Sequence, residues 1–354
     1  MKLTIDGAKF FQLVLSLEAE RALRESDEAA AAGLCQVPPI VFHQPPNPEI
    51  ELSILLPVWN PDRGQFLRCL RSLKGAELAG ISFEVVVSDN ASSTPVVKEC
   101  LAEVGLDHVR YHCQPSNIGG FPNFNWCLAA ARGQWLHLLS HDDWIAPKFY
   151  SSLLRGPAQN SGTDLRFCRS VIFDETSGTR RLMFDEAPTE GVLPDFVHRQ
   201  AISQRIQIVG ALFSRRTVET LGGFDPAIGA SADWELWTRI ASRFSTYYHP
   251  GQLATYVLHS ASWSHREGNF EDADSFRKFR GLLIRILRHV PVEKRRAAAY
   301  GFMTNMCQRL LNVAVRNKRA AQLPNNHFVA EALMVGCKDA GLLPDVESVL
   351  ASYN

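Results

Sequence analysis

The chain has 354 residues, of which 46% are hydrophobic and 21% are charged. These fractions are typical of a globular protein and exclude a wholly disordered one. The 37 Lys and Arg residues balance the 37 Asp and Glu residues. The chain therefore has no overall basic excess, which leaves room for a local basic patch, and we expect no nucleic-acid partner.

No apolar run approaches the roughly 20 residues that a membrane-spanning helix needs. The N-terminal residues lack the apolar core and cleavage site of a secretory signal. The eight cysteines show neither a C-x-x-C motif nor a regular spacing, which favours reduced thiols over a disulfide framework. Together these features predict a cytoplasmic protein.

The first 50 residues predict a helix followed by a linker. Residues 1–36 mix apolar and charged side chains and include the helix-forming alanine run at 29–32. Residues 37–48 contain five prolines, a density that excludes a helix or a central strand. We therefore predict an N-terminal helical segment at 1–36 and a Pro-rich linker at 37–50. Whether the helix covers the C-terminal helices or mediates dimerisation stays open at this stage.

Strands and helices alternate between residues 51 and 150. The pattern predicts short apolar strands, at 52–58, 83–88, 109–113 and 135–139. It predicts intervening helices at 66–73 and 124–132, the second ended by Gly133. Such alternation indicates an α/β fold with a mostly parallel sheet flanked by helices. Ligands of these sheets bind beyond the carboxyl ends of the strands, where this sequence places polar loops.

The rest of the chain has a looser pattern. Strands are expected within 164–173 and 206–214, and helices at 217–221 and 234–244. Residues 269–354 are predicted to form a helical region, with breaks near Pro291, Pro324 and Pro344. A basic run at 277–296 suggests either peripheral contact with an anionic membrane surface or a solvated helix face, of which the second is the more common.

Two adjacent carboxylates, Asp142 and Asp143, follow the fourth predicted strand. Like charges so close disfavour each other, and a divalent cation such as Mg²⁺ or Mn²⁺ relieves the repulsion. The alternative is a cap for a helix that begins near Pro147. His259, with His265 as a fallback, carries an imidazole that either completes a metal site or is simply a polar surface group.

Three further positions are candidates for ligand binding or catalysis. Asp89 either accepts an N–H of a nucleotide base or closes a turn after the second strand. Asn117 and Gly119 lie in a loop whose two glycines permit close backbone approach to a ligand, or form an ordinary turn. Asp233 is either a general base or a first-turn acid that offsets a helix dipole.

Taken in order, segments within residues 51–265 resemble family 2 glycosyltransferases of the GT-A fold. The matching segments are ILLPVWN (54–60), VVVSDNAS (85–92), NIGGFPNFN (117–125), LLSHDDW (138–144) and GGFD (222–225) with ADWELW (232–237). The resemblance implies a GT-A catalytic domain at 51–268. It also implies inverting transfer of a sugar from a nucleotide diphosphate sugar to a saccharide or lipid-linked hydroxyl, in bacterial polysaccharide or glycoconjugate biosynthesis.

The resemblance also implies roles for the candidate residues. Asp89 would contact the nucleotide base, in a pocket shaped by Pro57, Trp59 and Asn60. Asp233 would be the catalytic base. The metal, Mg²⁺ or Mn²⁺, would be held by three side chains, those of Asp142, Asp143 and His259, with Asp142 also touching the ribose. Position 232 is Ala where the family often has Glu, so the motif lacks a residue that would orient the base.

Two other functions stay open. One is a non-catalytic protein that binds nucleotide sugars or acts as a scaffold. The other is a sugar-phosphate nucleotidyltransferase, which we expect to carry a Gly-rich basic loop after the first strand, whereas Arg63 is the sole basic residue at 58–64. The sequence does not predict the donor sugar, the acceptor or the oligomeric state.

Overall fold

The computed structural model describes residues 7–33, 37, 39–106, 108–260 and 273–316. Contacts divide the chain into two units. Of the described residues, those within 37–200 and 204–262 form an α/β unit, and those within 1–36, 201–203 and 263–354 form a helical unit. None of the helices in the described ranges is long and apolar enough to cross a membrane.

The α/β unit contains twelve described strands: β1 (Leu52–Val58), β2 (Phe83–Asp89), β3 (Val109–Cys113), β4 (Trp135–Leu138), β5 (Trp144–Ile145), β6 (Leu165–Cys168), β7 (Val171–Asp174), β8 (Thr179–Leu182), β9 (Gly191–Leu193), β10 (Ala211–Ser214), β11 (Thr246–His249) and β12 (Ala254–Leu258). Short 3₁₀ turns lie at Gly156–Ala158, Ile208–Gly210 and Pro226–Ser231.

Ten α-helices lie in the described ranges: α1 (Gly7–Ala31), α2 (Arg63–Lys74), α3 (Val96–Val104), α4 (Gly120–Ala130), α5 (Phe149–Leu154), α6 (Phe196–Ile202), α7 (Arg215–Leu221), α8 (Ala232–Ala241), α9 (Ala273–Leu287) and α10 (Val292–Arg316). Helices α1, α9 and α10 belong to the helical unit.

The large sheet has the order β3-β2-β1-β4-β10-β6-β11-β9, and β5-β12-β7-β8 form a second sheet. Within the described large sheet, only β9 and β10 run against the other six strands. The mostly parallel sheet predicted from the sequence is therefore confirmed. The carboxyl ends of β1, β2 and β4 meet at one edge, and β10 begins at that edge because Leu212 pairs with His137.

Every residue of β1 is buried, which explains its unbroken apolar sequence. Pro57 is tolerated in this central strand because β4 has already ended beside it. The last register pair between the two strands is Leu55 with Leu138, so the missing N–H of proline leaves no gap in that ladder.

The structure corrects three local predictions. The apolar stretch 164–173 is two strands that belong to different sheets, β6 and β7. Within 206–214, only β10 is extended, and a 3₁₀ turn precedes it. The prediction that Gly133 ends a helix is wrong, since the C-cap of α4 is Ala131. Gly133 instead lies against β1, where a Cβ would come within 2.7 Å of the Ser53 backbone nitrogen.

In the helical unit, α1 packs against α9 and α10, and the predicted break at Pro291 is present. The basic run faces acidic side chains of α1. Arg280 lies 3.4 Å from Glu25, and Arg295 lies 2.8 Å from Asp27. These ion pairs give the run an intramolecular role that neither sequence interpretation had included. The breaks predicted near Pro324 and Pro344 lie outside the described residues.

Candidate active site

The loops that follow β1 and β2 are joined by hydrogen bonds of Asn60. Its side-chain Oδ1 accepts the backbone N–H of Ser93 at 2.7 Å, and its own N–H donates to Ser92 Oγ at 2.9 Å. Asn60 has a φ of 42°, a left-handed conformation that asparagine tolerates better than most residues. The neighbouring Trp59 is 39% exposed and Pro57 is buried, so of the two only Trp59 presents its side chain to solvent.

Asp89 ends β2 and is almost fully buried. Its Oδ1 accepts the Ser92 backbone N–H at 2.9 Å, which is the turn-closing interaction considered from the sequence. Its Oδ2 accepts the Tyr111 hydroxyl at 2.7 Å. Both oxygens are therefore fixed in place, and contact with a nucleotide base stays a prediction. Tyr111 lies on β3, 22 positions away along the chain, and no local sequence motif marks it as a partner of Asp89.

Asn90 connects the β2 loop to the glycine-containing loop. Its Nδ2 donates to Asn117 Oδ1 at 2.9 Å and to the Gly119 carbonyl at 3.2 Å, and its Oδ1 accepts the Ile118 N–H. Gly119 has a φ of 94° at the N-cap of α4, a conformation that favours glycine. The sequence identified Asn117 and Gly119 but not Asn90, whose side chain positions both.

The structure brings Asp142 and His259 together. Asp142 Oδ2 lies 3.1 Å from His259 Nε2. The hydrogen bond that this carboxylate accepts from His259 raises the pKa of His259 above its ordinary value. Burial acts to raise the pKa of Asp142, but His259 and His141 outweigh it and the pKa is lowered. His265 lies outside the described residues.

Asp143 has a different environment from its neighbour. It is 2% exposed, and its Oδ1 accepts the backbone N–H of Val257 in β12 at 2.8 Å. Burial and the charge of Asp142 raise its pKa well above the usual range. Neither carboxylate caps α5, whose N-cap is Lys148. In the described part of the chain, no three His, Cys, Asp or Glu side chains are grouped to hold a metal ion.

Arg68 of α2 approaches the same loop and was not identified from the sequence. Its guanidinium lies 4.3 Å from the centre of the Trp144 ring and pairs with Glu175 at 3.0 Å. Nη2 also donates to the Asp142 carbonyl at 3.4 Å. In the sequence, Arg68 is one of several polar residues on an amphipathic helix, and nothing local distinguishes it.

Asp233 lies in the first turn of α8, as its spacing from Ser231 predicts, and is 5% exposed. Its Oδ1 accepts the Trp234 backbone N–H at 2.8 Å, and its Oδ2 accepts Gln204 Nε2 at 2.5 Å. Burial raises the pKa of Asp233 to about 7, against the effect of these hydrogen bonds. A carboxylate with this pKa exchanges a proton near neutrality.

Residues 53–209 match the family described as "Glycosyl transferase family 2". This match covers 157 of the 354 residues. The resemblance noted in the sequence is thereby confirmed, and the segments that carry Asp233 and His259 lie beyond the matched residues.

The crystal structure of S. aureus TarS residues 1–349 has a similar fold, with a TM-score of 0.59 and 12% identity. The similarity covers 86% of this chain and 91% of that one. The TarS structure in complex with UDP-GlcNAc has the same TM-score, at 13% identity. The predicted fold, an α/β sheet of the GT-A type flanked by helices, is confirmed by this similarity.

Two proteins matched by sequence have a higher identity to this chain than TarS has, over a smaller part of it. "Putative glycosyltransferase EpsH" of Bacillus subtilis is 28% identical over 130 residues, which are 36% of each chain. "Uncharacterized protein MT1568" of Mycobacterium tuberculosis is 25% identical over 228 residues, 61% of this chain and 69% of that one. The chain is thus similar to both, and the match with EpsH spans about a third of EpsH.

Proposed function

We propose that this chain transfers a sugar, with inversion, from a nucleotide diphosphate sugar to the hydroxyl of a saccharide or lipid-linked acceptor. The family match and the GT-A-type fold support glycosyl transfer. TarS structures contain UDP-GlcNAc or UDP, which makes UDP-sugars the first donors to test. The setting we propose is polysaccharide or glycoconjugate synthesis.

The environment of Asp233 is the observation that carries this proposal. Inverting transfer requires a base that takes the proton of the acceptor hydroxyl as its oxygen attacks the anomeric carbon, while the bond from that carbon to the diphosphate breaks. A buried carboxylate with a pKa of about 7 suits this task. The loop that carries Gln204, its partner, leads into β10. Because β10 begins at the edge where β1, β2 and β4 end, this topology supports convergence of the base with the Asp142 loop.

On the donor side, we assign the base and ribose to the loops after β1 and β2. The hydrogen bonds of Asn60 and Asn90 hold these loops together. Trp59 offers an exposed ring, and Asp89 a fixed carboxylate acceptor. A rigid pocket of this kind lowers the entropic cost of ordering a nucleotide.

Asp142 and His259 fit a divalent cation. They present one carboxylate oxygen and one imidazole nitrogen 3.1 Å apart, with side chains 15% and 17% exposed. Mn²⁺ accepts both ligand types, and donor phosphates and water commonly complete such shells. When bound, the cation would neutralise charge on the departing diphosphate. We propose that Asp143 stabilises this loop through Val257 rather than binding the cation.

The nucleotidyltransferase alternative is disfavoured by the loop after β1. Arg63, its sole cation, is paired with Glu103 at 2.5 Å, so it is already neutralised by a carboxylate. A loop that binds triphosphate would need free positive charge or a run of backbone N–H groups.

The test compares Asp233→Asn with the wild-type protein. We expect the variant to retain thermal stabilisation by UDP-GlcNAc and Mn²⁺ and to lose about 10²–10⁴-fold of the rate of UDP release. Asp27→Asn is the matched control, because Asp27 is an exposed acid on α1. Normal turnover in Asp233→Asn would refute its role as the base. Donor binding without UDP release by the wild-type protein would favour the binding or scaffold alternative.

A further inference from the structure

The candidate base is held by a residue from another part of the chain. Gln204 lies between α6 and β10, and its Nε2 donates to Asp233 Oδ2 at 2.5 Å. The other oxygen of the carboxylate accepts the Trp234 N–H at 2.8 Å. With one donor on each oxygen, the carboxyl plane is fixed, and each oxygen retains a lone pair that can receive a proton.

Gln200 forms hydrogen bonds with the residues that directly follow Gln204 and Asp233, and so helps to fix the positions of both. Its backbone carbonyl accepts the indole Nε1–H of Trp234, the residue after Asp233, at 2.5 Å. Its side-chain Oε1 accepts the backbone N–H of Arg205, the residue after Gln204, at 2.9 Å. Gln200 is fully buried, so water does not compete for these bonds. The Gln204–Asp233 hydrogen bond is therefore part of a network of hydrogen bonds rather than an isolated surface contact.

The charged groups nearby are already occupied by other partners. Glu235, on the same helix as Asp233, forms a two-point ion pair with Arg239 at 2.9 and 3.0 Å. Arg205 lies 3.2 Å from Glu186 and stacks over an aromatic ring. Gln204 is thus a neutral donor to the base. A cation in its place would strongly stabilise the ionised form and weaken the base, whereas an amide orients the carboxylate with a smaller effect.

We propose that Gln204 is the positioning residue of the general base and replaces the acidic residue that the motif lacks at Ala232. The Gln204–Asp233 hydrogen bond and the two hydrogen bonds of Gln200 are features of the structure itself. The assignment of a catalytic purpose to them rests on the proposed function of Asp233.

Gln204→Met tests this directly, since methionine matches the length of glutamine but has no N–H. The pKa of Asp233 would be measured by NMR on protein labelled with ¹³C at aspartate carboxyls, with Asp233→Asn used to assign the signal. Loss of one hydrogen bond to the charged form should raise this pKa by about one pH unit. Gln207→Met is the matched control, because Gln207 lies in the same loop and contacts Met183 Sδ instead.

The second measurement is the pH profile of UDP release from UDP-GlcNAc. A pKa about one unit higher lowers the ionised fraction at pH 7 roughly fivefold, and much of this loss should be recovered at pH 9 with KM unchanged. A purely structural role would give a loss that pH does not restore.

These two measurements distinguish failure of the positioning role of Gln204 from failure of the proposed function. If Gln204→Met has the wild-type pKa and profile, the positioning role is wrong. If the pKa rises but neither protein releases UDP, the positioning stands and the proposed function fails. If Gln204→Met does not fold, Gln204→Glu decides. Two facing carboxyls should hold a proton to higher pH than Asp233 alone, and an unchanged Asp233 titration in that variant would overturn the proposal.

Discussion

Replacing Asp233 with asparagine should stabilise the fold, and the gain should depend on pH. The carboxyl has a pKa of about 7 in the folded protein, against an ordinary value of 3.8. Both states are protonated below pH 3.8, so burial then costs nothing in ionisation. Between pH 3.8 and 7 the unfolded state loses its proton and the folded state keeps it, and the penalty grows with pH. Above pH 7 it levels off at about 4 kcal/mol, since each pH unit of difference is about 1.4 kcal/mol.

Asparagine removes this penalty while preserving the shape of the side chain. We therefore expect Asp233→Asn to match the wild-type protein at pH 4 and to exceed its free energy of unfolding by about 4 kcal/mol at pH 8. Urea unfolding at both pH values measures the difference. Tryptophan fluorescence is a suitable probe because Trp234 and Trp237 of α8 are fully buried. Asp27→Asn is the surface control, since the Asp27 side chain is 68% exposed.

A gain of equal size at pH 4 and pH 8 would show that asparagine packs better and that ionisation is not the cause. No gain at pH 8 would mean that the folded protein ionises Asp233 as easily as the unfolded chain does. Either result would refute the elevated pKa on which the role of the base depends.

Other predictions concern the core and the metal. His137 is fully buried between Tyr150 and Val209, and burial lowers its pKa to about 4. Above pH 6.5, the ordinary pKa of histidine, the neutral ring costs the folded protein no stability. As the pH falls to 4, the unfolded chain takes up a proton that the folded protein does not, so the free energy of unfolding should fall by about 3 kcal/mol. His137→Gln should abolish this loss in urea unfolding. Gly133→Ala should cost about 1–3 kcal/mol and lower the Tm, because β1 backbone blocks the methyl group. Asp142→Ala should weaken the Mn²⁺-dependent part of UDP-GlcNAc binding in a thermal shift assay, and a gain from Mn²⁺ as large in the variant as in the wild-type protein would contradict this.

The sequence predicts the first half of the sheet well, for a physical reason. Strands buried on both faces require continuous apolar runs, and the polar residues that end those runs mark the loops at the carboxyl edge. This logic identified β1 to β4 and placed Asp89 and Asp142 at their ends. It failed at 164–173, where a similar apolar stretch passes from one sheet to the other after Cys168.

The residues that position the site could not be predicted. Gln204 and Asp233 are 29 positions apart, and Tyr111 and Asp89 are 22 apart. Such pairs form only when the fold brings distant loops together, and no local pattern records them. Gly133 was misassigned because a glycine after an apolar helix usually ends the helix, whereas here it permits close approach to Ser53.

The position of α1 has a consequence for biosynthesis. This helix is made before its packing partners α9 and α10, which follow more than two hundred residues later. At ~5–20 residues per second, roughly 12 to 50 seconds pass between the synthesis of α1 and the synthesis of α9. During this interval the α/β unit can fold, while the face of α1 around Ala19 and Ala22, buried in the finished protein, stays open to chaperones.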